Sequence, residues 1–349
     1  MLRRLPANAK ITSVLRRVPN YGGGRYAPVP GLEGHVCAFR VAPGPSPLIV
    51  EAVCGRAMTL LPGDIFLGTA GNRISFRMVG SVPKRGLVPG GTYWLLAESG
   101  LVGDLVGSTP GMSSFLGRVT YLGAVHRDDG EILTIRQFTA APTVRQADHG
   151  AQAFVIVGTA PEVGKTTAGT AVVRMLLAQK RERVIALKAT GTSCVTETMT
   201  YRDYGAAETF DFVDFGLPTT HPAGRKDISG VFDAMLEVCL SIPADAVIME
   251  CGGDLLGANV PVFLQRLKRR RRHPTLVLAA ADALGAFGAI QILRDFGLSV
   301  DLITGPCTDT RTSQERTEKL CKTHAMNLSF AQITPQSVRG LTRRVARRR

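Results

Sequence analysis

Two kinds of hydrophobic pattern divide the chain. Between residues 36 and 138, apolar and polar positions alternate in short stretches, at 48–53, 64–67, 73–78, 92–96, 118–122 and 132–135. Turn signals break them: Pro62-Gly63, Pro89-Gly90-Gly91 and Asp128-Asp129-Gly130. Period-two alternation with closely spaced turns predicts a small all-β barrel or sandwich. From residue 151 the pattern changes. Apolar runs at 154–157, 183–187, 246–249, 275–279 and 299–303 alternate with helix-length segments at 166–179, 228–241, 259–268 and 286–296. That alternation predicts a mostly parallel sheet with helices on both faces. The expected fold is an α/β domain preceded by a β-rich N-terminal domain. The expected boundaries are a basic arm at 1–35, the β-rich domain at 36–140, a polar linker at 141–150, the α/β domain at 151–335 and a basic tail at 336–349.

Composition adjusts this picture in three places. First, 349 residues with 45% hydrophobic and 20% charged positions can fill two cores and exclude global disorder. Second, no apolar run approaches the roughly 18 residues of a membrane span. Third, the net charge is +14, with arginine concentrated in three places: the first 17 residues (Arg3, Arg4, Arg16, Arg17), the run 266–273, and the tail 343–349. Such runs can bind nucleic acid. None is interleaved with aromatics and no nucleic-acid motif accompanies them, so solvated runs are the simpler reading. The N-terminal stretch lacks acidic residues and a secretory apolar core. It reads as a basic arm, with an organelle transit peptide as the alternative. The seven cysteines contain no C-x-x-C spacing, which suggests neither a disulfide framework nor a zinc knuckle and fits a reducing cytoplasm.

The candidate chemistry begins at residues 153–167, AFVIVGTAPEVGKTT. An apolar strand runs into a glycine-containing loop, and Lys165 and Thr166 then open a helix. This is the context a P-loop demands. Gly158 and Gly164 let the backbone wrap phosphate oxygens, and the amides of Thr159, Glu162, Val163, Gly164, Lys165, Thr166 and Thr167 are the candidate phosphate contacts. Lys165 should reach the β- and γ-phosphates, and the Thr166 hydroxyl should join an Mg²⁺ shell. The expected ligand is Mg-ATP. Five residues, not four, separate Gly158 from the Gly164-Lys165-Thr166 unit.

That spacing carries a resemblance. GTAPEVGKT looks like the loop of dethiobiotin synthetase and its relatives, which include cobyrinate-type amide synthases and MinD-like ATPases. The segments RVIALKATGT at 183–192 and AVIMECGGDLL from 246 match that family's second strand and its E-G-x-G-G segment. The similarity spans about 153–305 and leaves the N-terminal half outside it. It implies that Lys188 neutralises a substrate carboxylate or the transferring phosphoryl group. It also implies that Glu250 holds Mg²⁺, directly or through water. Cys251 stands where the family prefers Gly, the turn after Lys188 is one residue shorter, and Thr159 occupies the position of the MinD-like lysine. Thr304-Gly305-Pro306 stands where an adenine-reading Asn is expected.

Other candidates are less specific. The polar stretch 190–221 reads either as a substrate loop, with Asp203 or Asp214 facing the metal, or as an exposed helix and loop. Asp282 reads as a helix cap. Cys194 and Cys251 read as small buried thiols. The favoured function is ATP-dependent activation of a small carboxylate, by a ligase or kinase-like enzyme using Lys165 and Lys188; a homodimer is compatible with it. The first alternative is a regulatory or assembly ATPase whose β-rich domain binds a protein partner. The second is a nucleic-acid-binding ATPase.

Overall fold

The computed structural model describes residues 2–19, 24–44, 47–111, 116–139, 148–221, 228–270 and 273–329. The chain divides into two compact units. The first comprises Met1–Ala141, Thr192–Thr196 and Phe212–Lys226; the second comprises Pro142–Gly191, Glu197–Asp211 and Asp227–Arg349. The basic tail at 336–349, most of the expected linker and two arginines of the run 266–273 lie outside the described residues.

Among the described residues the first unit carries twelve strands. These are β1 (Arg3–Arg4), β2 (Lys10–Ile11), β3 (Arg25–Ala27), β4 (Val36–Val41), β5 (Leu48–Glu51), β6 (Ala57–Leu60), β7 (Ile65–Ala70), β8 (Arg73–Ile74), β9 (Met78–Ser81), β10 (Thr92–Ala97), β11 (Leu101–Ser108) and β12 (Arg118–His126). Five of them close a circuit. β4 pairs with β7, β7 with β11, β11 with β10, β10 with β12, and β12 with β4. Only the β7–β11 step is parallel. This is a five-stranded barrel, the first of the two all-β forms that alternation allows. Its interior is filled by inward residues of alternating strands. Phe39 stacks on Phe66 at 5.4 Å between ring centroids and lies 5.7 Å from Tyr121. All three rings are fully buried.

Residues 2–19 and 24–35, expected as a basic arm, contribute short strands to the barrel sheet. β1 and β3 extend the sheet beyond β12, and β2 pairs with β7. Arg16 and Arg17 both engage Asp214, with N···O distances of 3.0 and 2.8 Å. Two guanidinium groups therefore neutralise a carboxylate that is 4% exposed. Glu51 is buried in the same unit. Its carboxylate accepts the amides of Val195 and Thr196 at 2.8 Å each, and the hydroxyls of Ser13 and Thr196.

The second unit is the expected α/β domain. Its strands are β13 (Gln152–Gly158), β14 (Val184–Thr190), β15 (Glu208–Asp211), β16 (Ala246–Cys251), β17 (Thr275–Ala279) and β18 (Leu302–Thr304). They form one sheet in the order β15-β14-β16-β13-β17-β18, parallel throughout. Its helices are α1 (Lys165–Ala178), α2 (Val195–Asp203, which belongs to this unit from Glu197 on), α3 (Ile228–Ser241), α4 (Val260–Arg269), α5 (Ala283–Asp295) and α6 (Arg311–Cys321). Phe154 and Ile156 of β13 pack with Val172, Val173 and Leu176 of α1. Val155 and Val157 point the other way, and they too are fully buried. Covered faces on both sides explain why these strands read as continuous apolar runs. On α3 and α4, Phe232 and Phe263 meet edge to face at 5.4 Å. No helix among the described residues is long and apolar enough to cross a membrane.

The stretch 190–221 is partly helix and partly irregular, exposed at 202–205 and buried at 212–221. It holds α2, β15 and a one-turn helix at Phe212–Phe215.

Candidate functional site

Parallel order brings the carboxyl ends of β14, β16 and β13 together, the edge where α/β sheets bind ligands. Strand β16 lies between the other two. Glu250, near its end, is in register with Lys188 of β14 on one side and Ile156 of β13 on the other. Lys188 is therefore separated from the loop after β13 by the strand that bears Glu250.

The loop between β13 and α1 has the geometry its sequence predicts. Thr159 is tied to the neighbouring strand end: its amide donates to Ala279 O at 3.0 Å, and its hydroxyl accepts from Ala281 N at 3.2 Å. Glu162 is exposed and holds a φ of 62°; Val163 is buried and anchors the loop. Gly164 precedes α1 with a φ of 85°, a left-handed conformation that favours glycine. The Lys165 ammonium curls back into the loop and donates to Ala160 O at 2.7 Å. Lys165 is 6% exposed. Burial pushes its ammonium below the ordinary lysine range; Glu250 opposes that shift, and the like charge of Lys188 adds to it. Thr167 is exposed on the first turn of α1.

Glu250 is the hub. It is 3% exposed, and its two oxygens have separate partners. Oε1 accepts the Thr166 hydroxyl at 3.0 Å, and Oε2 accepts the Tyr201 hydroxyl at 2.7 Å. Tyr201 lies on α2 and is 1% exposed. Burial and the Glu250 charge hold its phenol well above the usual tyrosine range, so it stays a donor. A Cβ on Gly169 of α1 would stand 1.9 Å from the Tyr201 hydroxyl oxygen. The absent side chain at Gly169 is what admits the phenol.

Lys188 is 3% exposed and pairs with Glu197 of α2, whose side chain is 41% exposed. Past Glu250 the ends of β14 and β16 stay joined, with a register shift between Lys188 and Thr190: Gly252 N donates to Thr190 O at 3.1 Å, and Thr190 Oγ1 donates to Gly252 O at 2.9 Å. Asp254 then accepts from the amides of Leu256 and Gly257 at 2.9 and 2.7 Å.

The structure thus brings Lys165, Thr166, Lys188 and Glu250 into one buried cluster and adds Tyr201 and Glu197. It does not add the other acids of 190–221. Asp203 is exposed at the end of α2, and Asp214 is held by Arg16 and Arg17 in the first unit. Asp282 caps α5, accepting from Gly285 N at 2.8 Å. The Cys251 thiol is pushed far up by burial and by Glu250, which keeps it protonated.

The residues present fit a phosphate and a magnesium ion. A glycine-bearing loop at a helix N-terminus suits an anion. The Thr166 hydroxyl and Glu250 carboxylate are hard oxygen donors already facing one another. No group of three or more His, Cys, Asp or Glu among the described residues could hold a metal. A site with one or two protein oxygens is the usual Mg²⁺ arrangement when phosphates supply the rest.

No protein-family model and no curated protein matches the chain. Among solved structures, similarity is found to signal recognition particle receptor FtsY. The Elizabethkingia anophelis structure is 19% identical, with 46% of this chain and 51% of that chain covered and a TM-score of 0.30. Its complex with GDP gives 16%, 59%, 68% and 0.36 for the same quantities. Chloroplast FtsY from Physcomitrella patens gives 14%, 59%, 70% and 0.39. The chain thus spans about half the length of the first of these. The P-loop α/β assignment stands on the strand order and loop geometry above.

Proposed function

We propose that the chain is a Mg²⁺-dependent, nucleotide-binding P-loop enzyme that activates a small carboxylate with ATP, in the manner of the dethiobiotin synthetase and cobyrinate amide synthase relatives its loop resembles. The observation that supports this is the pair of buried ammonium groups, Lys165 and Lys188, set around the Glu250 carboxylate. A loop lysine alone serves nucleotide phosphates. A second buried cation at a neighbouring strand end suits a second anion, which a carboxylate substrate supplies.

In this reading the loop amides from Glu162 to Thr167 and the Lys165 ammonium bind and orient the phosphates, while the Thr159 amide, expected as a phosphate contact, is instead committed to Ala279 O. Thr166 and Glu250 hold Mg²⁺, which supplies charge neutralisation at the transferring group. Lys188 orients the acceptor's anion. Tyr201 keeps the Glu250 carboxylate turned toward Thr166.

The test is phosphate release from ATP, with GTP run beside it, across a panel of small mono- and dicarboxylic acids. Stimulation by an acid that Lys188→Met abolishes is the expected result. Turnover indifferent to every acid but raised by a protein partner would move the assignment to the switch ATPase. Exposed apolar side chains in the β8–β9 hairpin and β11, Ile74 at 42%, Phe76 at 60% and Val106 at 65%, favour that second reading.

A further inference from the structure

Helix α2 touches both members of the β14–β16 pair. Glu197 and Tyr201 are one turn apart and so share a face. Glu197 grips Lys188 and Tyr201 grips Glu250. The two contacts differ in kind. Tyr201 is 1% exposed and sealed over Gly169, so it is fixed. Glu197 is 41% exposed, whereas its partner Lys188 is 3% exposed. The lysine stem is also fenced: its Cε lies 3.3 Å from where a Cβ on Gly252 would stand and 3.6 Å from one on Gly191.

A buried ammonium needs a counter-charge. Glu197 supplies it from the solvent side. Of the two partners Glu197 returns to water at the smaller cost, because its side chain is 41% exposed against 3% for Lys188, although the oxygen that meets the ammonium is itself buried. The ammonium stays in place.

We propose that Glu197 is an internal anion seated at the Lys188 subsite, which an incoming anionic group displaces. That group is either the nucleotide's terminal phosphate or the carboxylate of the second substrate. The exchange trades one ion pair for another, and the Tyr201–Glu250 contact holds α2 while Glu197 alone swings out. The inference rests on the nucleotide reading above and deepens it, because it assigns the place where the second anion binds. A Glu197 that merely positioned Lys188 would have the opposite signature, since its loss would weaken anion binding.

The experiment is calorimetry on the full chain at fixed Mg²⁺, with three probes: ADP, ATPγS, and succinate added to the ADP-saturated protein. Wild type is compared with Glu197→Gln and with Glu197→Asp. The aspartate variant keeps the charge and the fold if the amide variant does not fold, and gives a weaker, shorter-reach competitor. Glu197→Gln is expected to leave ADP affinity unchanged. It should tighten ATPγS relative to ADP, or succinate on the ADP form, by about tenfold, or ~1.4 kcal/mol. Glu197→Asp should fall between it and wild type. A gain on ATPγS assigns the terminal phosphate; a gain on succinate assigns the carboxylate. If both affinities stay equal to wild type or fall, the displacement idea is overturned while nucleotide binding stands. Absence of ADP binding in the wild type would overturn both readings together.

Discussion

Tyr201→Phe removes one oxygen from the hub of the site and leaves the ring in place. The Tyr201 hydroxyl donates at 2.7 Å to Glu250 Oε2 with both side chains buried. A hydrogen bond to a charged group contributes about 1.5–3 kcal/mol, and the acceptor left behind here is cut off from water. Phenylalanine keeps the ring and vacates only the space of the hydroxyl oxygen over Gly169, so little packing is lost. Thr166 still serves Oε1, which keeps the cost near the middle of the range, about 2 kcal/mol. With a urea slope of about 2 kcal/mol/M, the midpoint falls by about 1 M. The assay is urea unfolding followed by circular dichroism at 222 nm, a signal that α1 to α6 dominate. A shift below about 0.2 M would refute the claim that Glu250 depends on this phenol.

Three other perturbations separate parts of the account. Gly169→Ala improves helix propensity by about 1 kcal/mol, yet its methyl would meet the Tyr201 oxygen at 1.9 Å. A net loss of about 1–2 kcal/mol is expected, and a raised melting temperature would show that the phenol does not occupy that space. Glu51→Ala strips the acceptor from two amides and two hydroxyls in the first unit. At least about 3 kcal/mol should be lost, read from the fluorescence of Trp94, the single tryptophan; an unchanged midpoint counts against the carboxylate's role. For Lys165→Met the sign runs with pH. Burial lowers the folded lysine's pKa, so between that value and the unfolded one the unfolded chain binds more protons and wild-type stability rises with pH. The methionine variant should therefore match or exceed apo wild type at neutral pH, with its advantage shrinking toward pH 10; an advantage that grows with pH would contradict this.

The parts of this site that were legible in the sequence are those carried by local pattern. An apolar strand, a glycine-bearing loop and a Lys-Thr helix start are contiguous, so the P-loop is visible without knowing the fold. Glu250 entered through the resemblance of the segment AVIMECGGDLL to a family segment, with its place at a strand end before Gly252-Gly253 as physical support. Period-two alternation likewise showed the β-rich first half. Helix α2 was not visible as a site element. Its buried stripe is Val195, Thr198 and Tyr201, with one aliphatic member, so no hydrophobic period announces it. Glu197 and Tyr201 acquire meaning only from strand order, because β16 inserts between β14 and β13 and puts Lys188 and Glu250 side by side. The pairing of Arg16 and Arg17 with Asp214 spans nearly 200 residues of chain, a separation no local pattern reports. Charge composition alone made those arginines look like a solvated arm.

The central claim is that Lys165 and the loop around it bind nucleotide phosphates. Calorimetric titration of Mg-ATP and Mg-GTP into wild type and Lys165→Ala tests it most directly, with melting curves confirming that both are folded. Removing one partner of a buried charge contact costs about 2 kcal/mol or more, so the alanine variant should bind its preferred nucleotide at least about thirtyfold more weakly. Equal affinity in the two proteins, or no binding of either nucleotide to wild type, would contradict the account.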